Sequence, residues 1–164
     1  MNPTLDRSAR ATRRPFLHMP VPWVFVIAYL LGVGLQLLVP LTPRSQTLSL
    51  LVRFAGVALF AAGATIAGWG LVIFHRGGTT TTPGEAPAIL VTAGPYRFTR
   101  NPMYVGLVLA YLGEQGMLLQ VWPLLLLVLT VVYVNWFVIP VEETSLRSFG
   151  PVYDAYRARV RRWI

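Results

Sequence analysis

Two polar clusters stand out in a chain that is otherwise strongly apolar. The first runs from Gly94 to Gly106 and reads Gly-Pro-Tyr-Arg-Phe-Thr-Arg-Asn-Pro-Met-Tyr-Val-Gly, a bibasic stretch that enters an apolar helix. The second begins with Glu142-Glu143 and continues to Phe149-Gly150-Pro151 after the last apolar segment. We predict that the two clusters meet at one membrane face and close around a ligand.

The adjacent carboxylates of Glu142 and Glu143 could bind a cation, bridge a metal, or act as general acid and base. They could also be the solvated end of a helix. Pro140 precedes them, and we expect it to bend or end the helix at that point. Acids at a helix C-terminus oppose the macrodipole, which favours a functional role for the pair.

Arg97 and Arg100 flank the start of the third apolar segment. Either they anchor that segment at the membrane surface, or their guanidinium groups recognise a carboxylate or phosphate. Asn101 precedes Pro102, a position that favours an extended backbone and would turn its amide away from the helix. Tyr96 and Tyr104 could stack on a ligand ring, but the interfacial aromatic belt is the simpler interpretation.

The composition is that of a membrane protein. Of the 164 residues 55% are apolar and 12% are charged, against about 25% charged in soluble domains. The chain has no cysteine and two histidines, which excludes disulfides, thiol nucleophiles and cysteine- or histidine-rich metal sites, so we expect no metal. The net charge is +8 and every basic residue is arginine, but the arginines flank apolar runs, so we do not expect nucleic-acid binding.

Four apolar segments predict about four transmembrane helices, since a span needs about 20 residues. The third is short and contains Glu114, to which we assign an interfacial or helix-packing role. A final segment, Pro151–Trp163, places tyrosine, valine and tryptophan on one face and arginine on the others, which predicts an interfacial amphipathic helix that lies on the bilayer or caps a site. The four segments are Pro22–Val39, Leu48–Phe74, Met103–Leu119 and Val121–Val141.

The arginines predict the orientation. Twelve of the fourteen fall on one side if the four spans alternate, so both termini and the 75–102 loop are expected to be cytoplasmic. We divide the chain into a cytoplasmic arginine-rich segment (1–19), two transmembrane helices (20–74) and a core (75–164). Within the second helix, glycines recur every seven residues from Gly56 to Gly70, which predicts a small-residue face for helix packing.

Residues 75–164 resemble the isoprenylcysteine carboxyl methyltransferase and phospholipid methyltransferase superfamily. The resemblance rests on the stretch from Leu90 to Gly106, an apolar hairpin, Glu142-Glu143, and the later Phe149-Gly150 and Tyr153. It implies an all-α integral membrane enzyme with a cytoplasmic pocket for S-adenosylmethionine. The family's Arg-His-Pro reads Arg100-Asn101-Pro102 here, and asparagine cannot take up a proton.

Carried over by position, the resemblance implies a cofactor pocket with three contributions. The loop before the third helix supplies Val91, Gly94 and Tyr96, and the start of that helix supplies Arg100, Asn101 and Tyr104. The fourth helix closes the pocket with Glu142 and Glu143. Arg100, Asn101 and Glu143 are the residues expected to act in catalysis.

The expected reaction is methylation of a lipid-soluble or amphipathic acceptor that enters from the bilayer. An NADPH-dependent membrane reductase relative and a non-catalytic membrane scaffold that retains the fold remain as alternatives. The acceptor, the choice between O- and N-methylation and the oligomeric state stay open. Arginine in place of lysine, with abundant alanine and glycine, suggests a bacterial inner membrane protein.

Overall fold

The computed structural model describes residues 21–41, 46–78 and 89–164, and within these ranges the chain is helical and contains no strand. The predicted all-α architecture is confirmed. The arginine-rich segment 1–19, Arg44 and most of the loop before residue 89 lie outside the described residues.

Six α-helices form the framework of the described ranges. Two short 3₁₀ turns, Gly94–Arg97 and Arg147–Phe149, connect them, and a π-helical turn, Val134–Val138, joins the fourth helix to the fifth without a break. The helices are α1 (Val21–Leu38), α2 (Gln46–Arg76), α3 (Pro102–Leu118), α4 (Val121–Tyr133), α5 (Ile139–Leu146) and α6 (Pro151–Arg159).

In the part of the chain that the structure describes, three helical stretches are long and apolar enough to cross a membrane: Val21–Leu38, Ser49–Arg76 and Val121–Phe149. They correspond to the first, second and fourth predicted spans. The third, α3, has 17 residues and packs lengthwise against α2.

Pro140 was predicted to bend or end the fourth span, and it does not end it. It lies in the first turn of α5, directly after the π-helical turn, where the Ile139 N–H donates to the carbonyl of Val134. Proline has no N–H, and widening the preceding turn is one way in which a helix absorbs it. Glu142 therefore lies in the first turn of α5 and not at a helix C-terminus. The macrodipole argument for a functional role of the pair does not apply.

The contact between α2 and α3 is made by glycine, as the seven-residue spacing predicts. A Cβ added to Gly63 would overlap the backbone of Ala110 and Gly106, and one added to Gly56 would overlap the backbone of Gly113. Helices in lipid associate through such close packing, because burial from water does not drive them together.

On its other side α3 faces α1 and α4. Tyr104 and Tyr111 of α3 belong to a core that also contains Phe25 of α1 and Leu127 of α4. The C-terminus of α1 is tied to the start of α4 by the Gln36 side chain, whose Oε1 accepts from the N–H groups of Val121 and Trp122. This is the hairpin end of the bundle. The predicted clusters lie at the opposite end.

The C-terminal helix is shorter than predicted, because α6 ends at Arg159 and residues 160–164 are not helical. Its apolar face is buried against protein: Tyr153 is 1% exposed and Tyr156 is 4% exposed, and both pack with Leu90, Leu146 and Phe149. Of the two placements that the sequence allows, the structure has the one that caps the clusters.

Candidate active site

The two polar clusters meet where the loop before α3, helix α5 and the C-terminal segment converge. Gly94 begins the loop with a positive φ of 59°, and a Cβ at this position would overlap the side chain of Ile73 and crowd the indole of Trp69. Glycine is therefore required here for its backbone conformation, and any larger residue would also displace the side chain of Ile73. This fixes the loop against the scaffold and brings Arg100 towards α5.

Glu143 is held by two arginines. Its Oε1 lies 2.9 Å from Nη1 of Arg100, and Arg162 makes a bidentate contact, with Nη2 2.7 Å from Oε2 and Nε 3.2 Å from Oε1. The Arg100 and Glu143 side chains are 11% and 14% exposed, respectively, so this pair is largely shielded from solvent. Removing the carboxylate would leave two guanidinium groups without their counter-charge.

Glu142 has a different partner. The hydroxyl of Tyr104 donates to its Oε1 at 2.6 Å, and Glu142 forms no ion pair within the described ranges. The two neighbouring carboxylates are therefore not equivalent. Glu143 is neutralised by arginine, whereas Glu142 has a tyrosine hydroxyl and no cation beside it.

Two hydrogen-bond donors in this region are buried without a partner. They are Nε of Arg100 and the hydroxyl of Tyr96, a residue that is 6% exposed and stacks on Phe74. Burial raises the pKa of Tyr96 above its usual value, with smaller contributions from Tyr156 and Glu142, so this hydroxyl keeps its proton. Buried polar groups are usually hydrogen-bonded, and unpartnered donors beside an unpaired carboxylate suit a polar ligand.

Asn101 contacts the C-terminal segment. Its backbone has φ −128° and ψ 54°, so the predicted extended conformation is wrong, and its N–H donates to Oγ1 of Thr99 at 3.1 Å. The amide Nδ2 donates to the carbonyl of Arg162 at 2.9 Å, and the N–H of Arg100 donates to the carbonyl of Arg161 at 2.9 Å. Asn101 thus helps to tie the end of the chain to the loop before α3.

The tyrosines of α6 complete the enclosure. The hydroxyl of Tyr156 donates to the carbonyl of Tyr96 at 2.8 Å, and Nη1 of Arg100 donates to the hydroxyl of Tyr153 at 3.3 Å. Burial raises the pKa of Tyr156 to about 12, against a smaller opposing effect of Arg100. Both tyrosines are therefore neutral hydrogen-bonding groups near pH 7.

Most residues expected at the cofactor pocket come together. Tyr96 joins the group through its backbone contact with α6, Gly94 packs on α2, and Val91 is half-buried in the same loop. Of the remaining expected residues, Arg100, Asn101 and Glu143 are connected to one another or to Arg162 of the C-terminal segment. Tyr104 and Glu142 are hydrogen-bonded to each other, and Glu142 is the chain neighbour of Glu143.

Sequence reasoning missed Arg162 and Asn135. Asn135 lies in the π-helical turn, where its Oδ1 accepts from Nε1 of Trp163 at 2.9 Å and from Nη1 of Arg162 at 3.5 Å. A lone amide in an apolar run is a signal in its own right, because polar side chains inside membranes are costly. Arg162 carried no such signal, since it is one of several arginines near the C-terminus.

The arrangement offers an unpaired carboxylate, a partly free guanidinium and neutral hydroxyls beneath a cap formed by the C-terminus. It suits a ligand that carries positive charge, a carboxylate and hydroxyl groups.

No curated protein and no solved structure matches the chain. The family model for phospholipid methyltransferase matches residues 51–150, well over half of the chain, from α2 to the turn before α6. The chain therefore belongs to the phospholipid methyltransferase family, within the wider group of isoprenylcysteine carboxyl and phospholipid membrane methyltransferases.

Proposed function

We propose that the protein transfers a methyl group from S-adenosylmethionine to a lipid-soluble acceptor at the cytoplasmic face of a membrane. Family membership supports methyl transfer to a lipid-type substrate. The observation that carries the proposal for this chain is the cluster in which Arg100 and Glu143 pair while Glu142 has no cation beside it.

The residues present fit the polar groups of this cofactor. Glu142 would accept from its ammonium group or from its ribose hydroxyls, because it has no competing cation within the described ranges. Nε of Arg100 would donate to its carboxylate, and the hydroxyl of Tyr96 would bond to a further polar atom, since both donors lack a partner. Glu143 holds the Arg100 guanidinium in place for this contact.

When bound, the cofactor supplies a methyl group activated by a sulfonium. The protein's part is to hold donor and acceptor in line and to exclude water, which lowers the barrier without a covalent enzyme intermediate. Asn101 cannot act as a base, and its amide is engaged with the backbone of Arg162. A carboxylate acceptor would need no base near pH 7, whereas an amine would have to arrive neutral or lose its proton to another group.

The proposal is tested by titrating S-adenosylhomocysteine into detergent-purified protein by calorimetry. Wild type should bind, and Glu143→Ala should bind at least tenfold more weakly, because Arg100 loses the charge that orients it. Asp154→Ala is the matched control, since Asp154 is an exposed acid of α6 with no ion pair within the described ranges.

A second variant separates loss of binding from loss of folding. Glu142→Gln keeps an acceptor for the hydroxyl of Tyr104 but removes the carboxyl group, so it should weaken binding while size-exclusion behaviour and helical circular dichroism stay unchanged. Wild type that binds NADPH instead would identify a reductase relative. Wild type that binds neither ligand would identify a membrane scaffold that retains the fold.

A further inference from the structure

The hairpin end of the bundle contains a second group of buried polar atoms without partners. Four of the six such side-chain atoms within the described residues lie there: the hydroxyl of Tyr111, Oε1 and Nε2 of Gln115, and Oε1 of Gln120. Gln115 is 3% exposed and Tyr111 is 6% exposed. The residues are close in the fold, because the N–H of Gln120 donates to the carbonyl of Gln115 at 3.3 Å.

This group is separate from the candidate active site. Tyr104, Tyr111 and Gln115 follow one another on a single face of α3, at intervals of seven and four residues. At a rise of 1.5 Å per residue, Gln115 lies roughly 16 Å along the helix from Tyr104. The inference therefore does not depend on the proposed methyl transfer.

The shared face of Tyr111 and Gln115 points into the bundle and not into lipid. The ring of Tyr111 packs edge to face on Tyr29 of α1, with centroids 5.7 Å apart, and belongs to the core with Leu127 of α4. The glycines on the opposite face of α3 contact α2. Gln115 thus lies on the face of α3 that is directed towards α1 and α4, and the carboxyl group of Glu114 lies near Tyr29 and Tyr111 at this end of the bundle.

A second glutamine at the same end shows what a satisfied amide does in this setting. Nε2 of Gln36 donates to the carbonyl of Leu41 at 2.9 Å, and its Oε1 accepts from two backbone N–H groups of α4. Gln115 is more deeply buried in the same bundle and uses neither its donor nor its acceptor. Burying an amide that makes no hydrogen bonds is unfavourable, so a leucine of similar size would be more favourable there.

We propose that Tyr111, Gln115 and Gln120 form a binding site for an uncharged hydroxyl group. A hydroxyl both accepts and donates, so it can accept from Nε2 of Gln115 and donate to Oε1 of Gln115 or Gln120. A bound cation would leave the Nε2 donor unused, and an anion would face two amide oxygens. The hydroxyl belongs either to an ordered water molecule or to an amphipathic lipid that enters between the helices.

Thermal unfolding of Gln115→Leu in detergent tests the site. If the site is filled, Gln115→Leu should unfold at a Tm about 2–4 °C or more below that of wild type, because the bound hydroxyl loses its partner. Gln36→Leu is the matched control, since it removes an amide whose hydrogen bonds are all visible, and its Tm should fall similarly. An unchanged or higher Tm for Gln115→Leu would overturn the proposal, because deleting an unpartnered polar group from an apolar interior stabilises a protein.

Tyr111→Phe keeps the test decisive if Gln115→Leu does not fold, since it removes one hydroxyl and leaves the ring in place. Its Tm should fall if the site is filled and should stay the same or rise if it is not.

Native mass spectrometry then identifies the source of the hydroxyl. Delipidated protein is mixed with a monoacylglycerol or with its diacetylated counterpart, which lacks free hydroxyls. A lipid site predicts an adduct of wild type with the monoacylglycerol alone, lost in Gln115→Leu. A lowered Tm without an adduct assigns the site to ordered water.

Discussion

Helix α3 is held in two contrasting ways, by α2 along its length and by the C-terminal segment at its start. The contact with α2 consists of glycines whose backbones lie against backbone, as at Gly63 and Gly106. The contact with the C-terminal segment consists of hydrogen bonds and ion pairs that pass through a few side chains, chiefly Arg100, Asn101 and Arg162. The contact with α2 is steric and runs along the helix, whereas the contact with the C-terminal segment is polar and confined to the start of the helix.

The difference between the two contacts distinguishes the part of the molecule that determines the fold from the part that could bind a ligand. Backbone-to-backbone packing leaves no space for any side chain, so every substitution at the α2–α3 contact acts on folding. A polar contact can be weakened one group at a time while the helices stay in place. It can also exchange its partners for those of a ligand, which a packed interface cannot do.

The largest effect is expected from breaking the steric contact with Gly63→Leu. The side chain would have to occupy the space of the α3 backbone at Gly106 and Ala110, so we expect little folded protein in detergent. Gly68→Leu is the control within the same helix, because a Cβ at Gly68 meets nothing within 4 Å. Size-exclusion chromatography of the two variants measures the difference, and equal yields of folded protein would contradict the steric assignment.

A smaller effect is expected from Arg162→Ala, which weakens the polar contact alone. Hydrogen bonds that involve a charged group contribute about 1.5–3 kcal/mol each, and this variant loses the bidentate contact with Glu143. The C-terminal segment should then open more often, with faster hydrogen–deuterium exchange of the Arg100 amide, which donates to the carbonyl of Arg161. The helix packing and the circular dichroism should not change.

Arg161→Ala is the matched control for this exchange experiment. The Arg161 side chain is exposed and forms no ion pair within the described part of the chain, whereas its carbonyl makes the same backbone contact in both variants. If both variants exchange alike, the Arg162–Glu143 pair does not hold the segment.

The two contacts also differ in how well they can be predicted from sequence. The glycines of α2 repeat every seven residues, and any helix places such positions on one face, so the packing face follows from periodicity. The meeting of Arg100 with Glu143 follows from the order of motifs around a membrane hairpin. These are consequences of regular geometry, and the structure confirms the packing face and brings the two motifs together.

The polar contact of the C-terminus does not follow from any such regularity. Arg162 lies beyond the end of α6, in a segment predicted to be helical, and its pairing with Glu143 depends on where that helix stops. Of the two effects predicted for Pro140, a bend or an end of the helix, the end does not occur, because a π-helical turn absorbs the proline and the helix continues. Both outcomes depend on irregular backbone, namely the end of α6 and the π-helical turn before Pro140. A periodic sequence pattern does not indicate where such irregularities occur.

The smallest effect is expected at the residue that ends α3. Leu119 ends the helix with φ 56° and ψ 40°, a left-handed conformation that glycine adopts more readily than any other residue, and its N–H donates to the carbonyl of Gln115. Leu119→Gly should stabilise the fold by at most about 1 kcal/mol, because the gain at the backbone is partly offset by the lost side chain. Leu118→Gly makes the same change one residue earlier, inside the helix, where glycine costs about 1 kcal/mol. Thermal unfolding should give a higher Tm for Leu119→Gly and a lower Tm for Leu118→Gly. A lower Tm for both variants would mean that the Leu119 side chain stabilises the fold by more than its left-handed backbone conformation costs.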